Sequence, residues 1–294
     1  MNTRLEDVRS KIQALDAIPA IPAVVMPLAS MLRQPAEDVN LRKVVDLISY
    51  DSTIASQCLR MANSPLFGRR AVETISSAVI TLGLSRVQAI TLGCCLRSVL
   101  PADKWAIDVL TFWRHSLGCA LVSSKMAHLI GYPDPEKAYA CGLLHDLGIL
   151  VNSLVATDEF RRVLRMAMEE KIPLHRMEQE YVGYTHAETG RILAECWHLP
   201  DEFSEVMQYH HDVANARIAR ALVALVHLSD LLCRLRDLGH GYYEAIGVDL
   251  SGDLAWSILV EHYPALERID LARVSMDIDG KMEEITATVN AVFV

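Results

Sequence analysis

Apolar residues recur at helical spacing along nearly the whole chain and no run alternates convincingly as a strand, so the sequence predicts an all-α fold. Leu41, Val44, Val45 and Ile48 form one apolar stripe. Ile54, Cys58 and Leu59, with Met61 and Ala62, form another, which Asn63-Ser64-Pro65 should end because proline disfavours helical geometry in the residue before it. Ser76 to Leu82 precede Gly83, and Ser85 opens a long apolar helix towards Leu100 and Pro101. From Trp105 the helices lengthen. One is expected from about Trp113 to Ile130, stopped by Gly131 and Pro133. Asp134-Pro135 then sets an N-cap acceptor before a proline at the first helical position. Thr185 and Glu188 fit a capping box, which places His186 in a first helical turn. Pro200 starts a segment ending in His210-His211. Asn215 is expected to cap a very apolar helix through Ile218, Leu222, Leu225, Leu228 and Leu232.

At 294 residues the chain is near the ~250–300-residue size at which single cores stop growing. The expected layout is an N-terminal helical bundle over 1–102, a helical domain over 103–238, and a small C-terminal helical extension over 239–294. The bundle reads as about five short helices without a cluster of ligand-type residues. Hydrophobic residues make up 51% and charged residues 22%, enough apolar material for a core and no sign of disorder. A net charge of -9 argues against general nucleic-acid binding, which needs a basic face to displace counterions. Arg69-Arg70 and Arg161-Arg162-Arg165 read as solvated helix faces. The cysteines Cys58, Cys94, Cys95, Cys119, Cys141, Cys196 and Cys233 lie in apolar stretches without a C-x-x-C pair, as reduced thiols do in a cytosolic protein. The opening MNTRLEDVRS is no signal peptide, and no uncharged run reaches ~18 residues. A cytoplasmic protein with no membrane association is expected.

Chemistry concentrates in His115, His145, Asp146, His186, His210, His211 and Asp230, drawn from five successive helical segments and flanked by apolar residues. An aspartate inside VALVHLSDLLC costs several kcal/mol to bury unless it is paired or coordinates a cation. Adjacent residues stand ~100° apart around a helix, so both members of His145-Asp146 and of His210-His211 can lean into one cavity. Imidazole with carboxylate suits iron, manganese, nickel or zinc, and the spacing does not choose among them. The remaining histidines, His128, His175, His198, His227, His240 and His262, read as core residues satisfied by hydrogen bonds. His227, three residues before Asp230, could reach the site only through another side chain.

The order His…His-Asp…His…His-His…Asp resembles the HD metal-hydrolase superfamily. The segments IPAIPAVVMPLASML, DSTIASQCLRMANSPLFG, ISSAVITLGLSRVQAITLG, AYACGLLHDLGILV and YTHAETGRILAECWHLPDEFSEVMQYHH resemble its HDOD family more closely. The likeness runs from Ile18 to Asp230, about 70% of the chain. It implies an HD-type helical domain with a divalent metal centre, mononuclear or dinuclear, with iron or manganese favoured over zinc or nickel. By similarity to the HD-GYP cyclic-di-GMP phosphodiesterases, His115, His145, Asp146 and Asp230 would hold one metal. Asp146 would bridge to a second held by His186, His210 and His211.

The chain also departs from those enzymes. Ile149 stands where they carry a lysine, HHDVANA lacks their glycine-rich loop, and Thr111 occupies the place where some trinuclear members carry a glutamate. The resemblance therefore implies a bacterial signalling or regulatory output module acting through other signalling proteins, with the ligand-free N-terminal bundle as the contact element. Apolar helix faces left over in the tail leave room for a homodimer. The alternative is a metal-dependent phosphohydrolase or phosphodiesterase acting on a nucleotide or cyclic dinucleotide, in which Asp146 would be catalytic. A third reading is a di-iron redox or oxygen sensor.

Overall fold

The computed structural model describes residues 3–15, 26–31, 34, 38–68, 71–99, 102–243, 249–270, 272, 276 and 279–292. The chain is all-α, and no strand occurs among the described residues. The segment IPAIPAVV lies outside them, as do Arg69 and Arg70. Helices α1 (Thr3–Leu15), α2 (Leu41–Tyr50), α3 (Ser52–Ala62), α4 (Ile75–Leu82) and α5 (Leu84–Val99) make up the first third. Then come α6 (Val109–Ile130), α7 (Pro135–Leu144), α8 (Leu147–Val155), α9 (Thr157–Glu170) and α10 (Leu174–Tyr181). The rest is α11 (His186–Cys196), α12 (Asp201–Tyr209), α13 (Arg220–Arg234), α14 (Leu254–His262) and α15 (Met282–Val292).

Local signals set most of the boundaries. Asp51 accepts from the amides of Thr53 and Ile54 to start α3, and α3 ends at Ala62, before Asn63-Ser64-Pro65. Asp134 accepts from Lys137 N with Pro135 in the first turn of α7, and the Thr185–Glu188 capping box opens α11 as predicted. Helix α6 starts four residues before the expected Trp113, because Asp108 accepts from the Thr111 amide at 2.8 Å; Gly131 closes it at φ +77°.

Asn215 does not cap α13. It ends a 3₁₀ turn (Val213–Asn215) and donates to Asp212 at 2.7 Å. The amides of Arg217, Ile218 and Ala219, just ahead of α13, instead donate to the carboxylate of Glu205 on α12. A buried acceptor from a neighbouring helix replaces the local cap, which no reading of adjacent residues could reveal.

Helix α6 is the centre of the packing. It contacts α7, α13 and α15, while α7 also rests on α5 and α8 lies along α11. Phe112, Trp113, Leu117, Tyr139, Leu143 and Trp197 fill the middle of the core. The terminal helices pack far from their sequence neighbours: α1 docks on α11 and α8, tied by the 2.8 Å Arg9–Glu195 ion pair, and α15 bridges α6 and α3. The apolar stretch Pro135–Val155 has a bilayer-spanning length of 21 residues, but 89% of its most apolar window is buried.

At His145-Asp146 that stretch breaks into α7 and α8. Beyond the break Gly148 meets α11 backbone to backbone. A Cβ at Gly148 would lie 2.7 Å from the His186 carbonyl carbon and 2.8 Å from Gly190 N. Overfilling a packed contact costs about 1–3 kcal/mol, and more where the obstacle is main chain. Gly148→Ala is therefore expected to destabilise the protein by about 3 kcal/mol or more, read as a lower urea midpoint; an unchanged midpoint would contradict this contact.

Candidate metal centre

Helix ends deliver most of the candidate ligands. His145 and Asp146 fill the break between α7 and α8, His186 is the first residue of α11, and His210 and His211 follow α12. His115 projects from α6 and Asp230 from α13. Asp146 sits at the N-cap position of α8 but makes no capping hydrogen bond, so its carboxylate is available to the site. His211 is partly buried and the other six are buried.

The outer nitrogen of four imidazoles is tied to an acceptor. Nδ1 of His115 lies 2.5 Å from Leu238 O, that of His145 2.9 Å from Gly142 O, and that of His210 2.9 Å from Met207 O. Nδ1 of His186 lies 2.6 Å from Glu178 Oε2, and Glu178 also receives the His186 amide and Asn152 Nδ2. Carbonyls and carboxylates only accept, so each Nδ1 carries the proton and a neutral ring turns an Nε2 lone pair inward. Those inner atoms crowd together: His115 and His145 Nε2 are 3.5 Å apart, and His186 and His211 Nε2 are 3.0 Å apart. Facing lone pairs repel unless a proton or a cation stands between them.

Asp146 lies among these rings. Its Oδ2 is 3.0 Å from His145 Nε2, and its Oδ1 is 3.1 Å from His210 Nε2 and 3.4 Å from His186 Nε2. Despite these approaches, Asp146 Oδ1 and His210 Nε2 have no hydrogen-bond partner of acceptable alignment. Two groups of ligand atoms result, sharing Asp146: His115, His145, Asp146 and His240, and Asp146, His186, His210 and His211. Within each group the atoms lie within 4.8 Å of one another. Buried, orphaned acceptors and inward lone pairs fit a divalent cation.

The pocket draws positive charge, and at two of the rings a proton on Nε2 serves where a cation would otherwise stand. Burial works to raise the Asp146 carboxyl, yet His145 and His240 hold it well below the usual carboxylate range. Burial lowers both His145 and His186, but Asp146 for the first and Glu178 for the second push each up to about 10. Burial, then the nearby His240, hold His115 well below its ordinary value, and burial does the same to His211, helped by His210.

His240 has a different place from the one the sequence suggested. It comes from the segment after α13, past residue 238, and its Nε2 lies 2.5 Å from Asp146 Oδ2. It lies between Gly239 and Gly241, outside any apolar helical run, so helical periodicity gave no signal for it in the sequence. Asp230, expected beside the same metal, has its Oδ1 3.3 Å from His115 Nε2, but its carboxylate is gripped by Arg234 one turn on. Arg234 Nε donates to Oδ1 at 2.9 Å and Nη2 to Oδ2. The partner that a buried aspartate requires is thus at least in part a guanidinium. His227 reaches the site indirectly, with Nδ1 2.5 Å from His210 O and Nε2 3.2 Å from Asp253. His175 stacks on His211 with ring centroids 4.5 Å apart. Ile149 is fully buried, and Thr111 Oγ1 donates to Asp108.

The HDOD domain family matches residues 18–213, two thirds of the chain. The chain belongs to the HDOD family. The family match ends before Asp230 and His240, so both lie beyond the shared region. An HDOD domain protein of unknown function from Geobacter sulfurreducens is 30% identical, with 99% of each chain covered and a TM-score of 0.80. A protein from Marinobacter aquaeolei, provisionally named a signal transduction protein, is 22% identical with a TM-score of 0.73; 92% of this chain covers 59% of that one. A protein from Shewanella amazonensis, provisionally named a phosphohydrolase, shares the fold at 20% identity, a TM-score of 0.70 and coverage of 97% and 98%. An uncharacterized protein of Treponema pallidum (strain Nichols) is 29% identical over 241 residues, 79% of this chain. The chain spans about half (45%) of that relative's length.

Because Glu178 fixes the tautomer and tilt of His186, Glu178→Gln is expected to weaken divalent-metal binding about 10- to 100-fold while the far-UV spectrum stays helical. Manganese titration measures this. Wild-type affinity in the variant would remove Glu178 from the site.

Proposed function

We propose that this HDOD protein is a signalling output module whose HD-type pocket keeps a divalent metal centre, iron or manganese in preference to zinc or nickel, without efficient phosphoester hydrolysis. One observation carries the metal reading: inward Nε2 atoms from separate helices meet the orphaned carboxylate oxygen of Asp146, and the outer nitrogens of four rings are locked to acceptors. His115, His145, Asp146 and His240 would hold one divalent ion and Asp146, His186, His210 and His211 another, which would supply Lewis-acid chemistry to a phosphoester. The residues hold and orient. Glu178, Gly142 O, Leu238 O and Met207 O fix the rings, and Asp146 joins the two groups.

The regulatory half of the proposal rests on what surrounds the pocket. Ile149 offers no cation to a phosphate, and Arg234 is engaged with Asp230. The Treponema and Marinobacter relatives are longer than the part this chain matches, an arrangement suited to a module that works beside others. The partner-binding element would be the helices before α6, which hold none of the candidate ligands; Ile80 on α4 is 74% exposed there. Cys58, Cys94, Cys119, Cys141, Cys196 and Cys233 form no disulfide, which suits a reducing, cytoplasmic setting.

The test is to purify the protein without chelator, measure metal per chain, and assay phosphodiesters, cyclic-di-GMP included, with added iron or manganese. Up to two ions per chain are expected, both lost in Asp146→Ala because that carboxylate serves both groups, with no metal-dependent turnover. At 100 times the dissociation constant, metal should add about 2.7 kcal/mol of stability. Uptake should weaken as pH falls, because protons compete for the same nitrogens. Turnover that Asp146→Ala abolishes would favour the hydrolase; protein that takes up no metal would sink the reading.

A further inference from the structure

His240 differs from the other inward histidines in how it is held. Its Nε2 approaches Asp146 Oδ2 at 2.5 Å and its ring centroid lies 3.8 Å from that of His115, so it stands inside the first ligand group. Yet its Nδ1, buried with the rest of the ring, has no hydrogen-bond partner, whereas His115, His145, His186 and His210 each anchor theirs. Stacking holds the ring instead, between Phe112 (5.6 Å, 30°) and Tyr242 (5.3 Å, 13°). The segment around it is fixed at Leu238, whose amide donates to Cys233 O and whose carbonyl faces His115 Nδ1. The segment then turns at Gly241, where φ is +77°. On the outer side lies a cavity of about 390 Å³, and of the site's residues His240 is the one that borders it; Thr111, Arg165 and Tyr242 contribute to the same wall, together with the carboxylates Asp108 and Glu169. Asp230, 3.3 Å from His115, is shared with the Arg234 guanidinium.

We infer that His240 is a metal ligand of the half-site formed by His115, His145 and Asp146, and that it closes this half-site against oxyanion ligands arriving from the adjoining cavity. The inference rests on the metal-centre reading above. A ring without an outer hydrogen bond is oriented less firmly than its neighbours, so it is the ligand most readily exchanged for an incoming phosphate oxygen. Closure of the site is then carried by a segment beyond the family match, and the ligands within that match need not change for the site to be open or shut.

Cobalt(II) uptake by the full chain, followed by visible absorption and titration with inorganic phosphate, tests this. The wild type should bind cobalt, and His240→Ala should change the ligand-field spectrum or weaken uptake about 10-fold or more. Phosphate should perturb the cobalt spectrum of the variant at about one-tenth or less of the concentration needed for the wild type. His240→Gln, which keeps most of the bulk between Phe112 and Tyr242, provides the same comparison if the alanine variant does not fold. A wild-type spectrum, cobalt affinity and phosphate response in the His240 variants would overturn the inference. A wild type that binds no cobalt would overturn the metal-centre reading itself.

Discussion

A single buried carboxylate organises this molecule. Asp146 has imidazoles at hydrogen-bonding or near-bonding range on both of its oxygens, and it sits where one apolar helical stretch divides into α7 and α8. A charge so placed costs several kcal/mol unless countercharge surrounds it. The fold brings imidazoles to it from α6, α11, the end of α12 and the segment after α13, and the positive charge is drawn to His145 and His186, the two rings pushed up to about 10. The break matters too. Here His145 closes one helix, and Asp146 stands at the start of the next without capping it.

The helical class and most element boundaries could be read from the sequence because each depends on local pattern: apolar period, capping residues, glycine and proline stops. Of the seven candidate ligands, six fall in the two groups of converging atoms and Asp230 does not. His186 in a first turn followed directly from Thr185 and Glu188. Other features depended on contacts between distant residues. Asn215 is a good local cap, but Glu205 from α12 reaches the amides first. Asp230 needed a partner, and Arg234, four residues later on the same face, was legible as an i,i+4 partner beside the cation reading; its bidentate grip is what the structure adds. His240 looked ordinary because it stands between two glycines outside any apolar helical run; only the turn after α13 brings it to Asp146. His227 and His175 likewise acquire their roles through the backbone carbonyl of one ligand and the ring of another.

The chain's ends bind the structure together. Helix α1 lies on α8 and α11, and α15 spans α3 and α6, so the first and last helices each fasten elements that the order of the chain would keep apart. Arg86 makes a comparable link in the middle. It pairs with Glu136 at 2.6 Å and lies over the rings of Phe67 and Tyr139, joining the NSPLFG turn and α5 to the helix that ends at His145. The region without ligands is thereby in direct mechanical contact with the region that has them.

The backbone contact at Gly148 bears on how such a centre can change over time. Side chains in a core can trade volume with one another, and the helices they separate drift by fractions of an ångström as they do. At Gly148 there is no side chain to trade, so at this point the spacing between α8 and α11 is set main chain to main chain. Sequences descended from this one can replace most of their core while that spacing stays fixed, and the centre's geometry should outlast its surroundings.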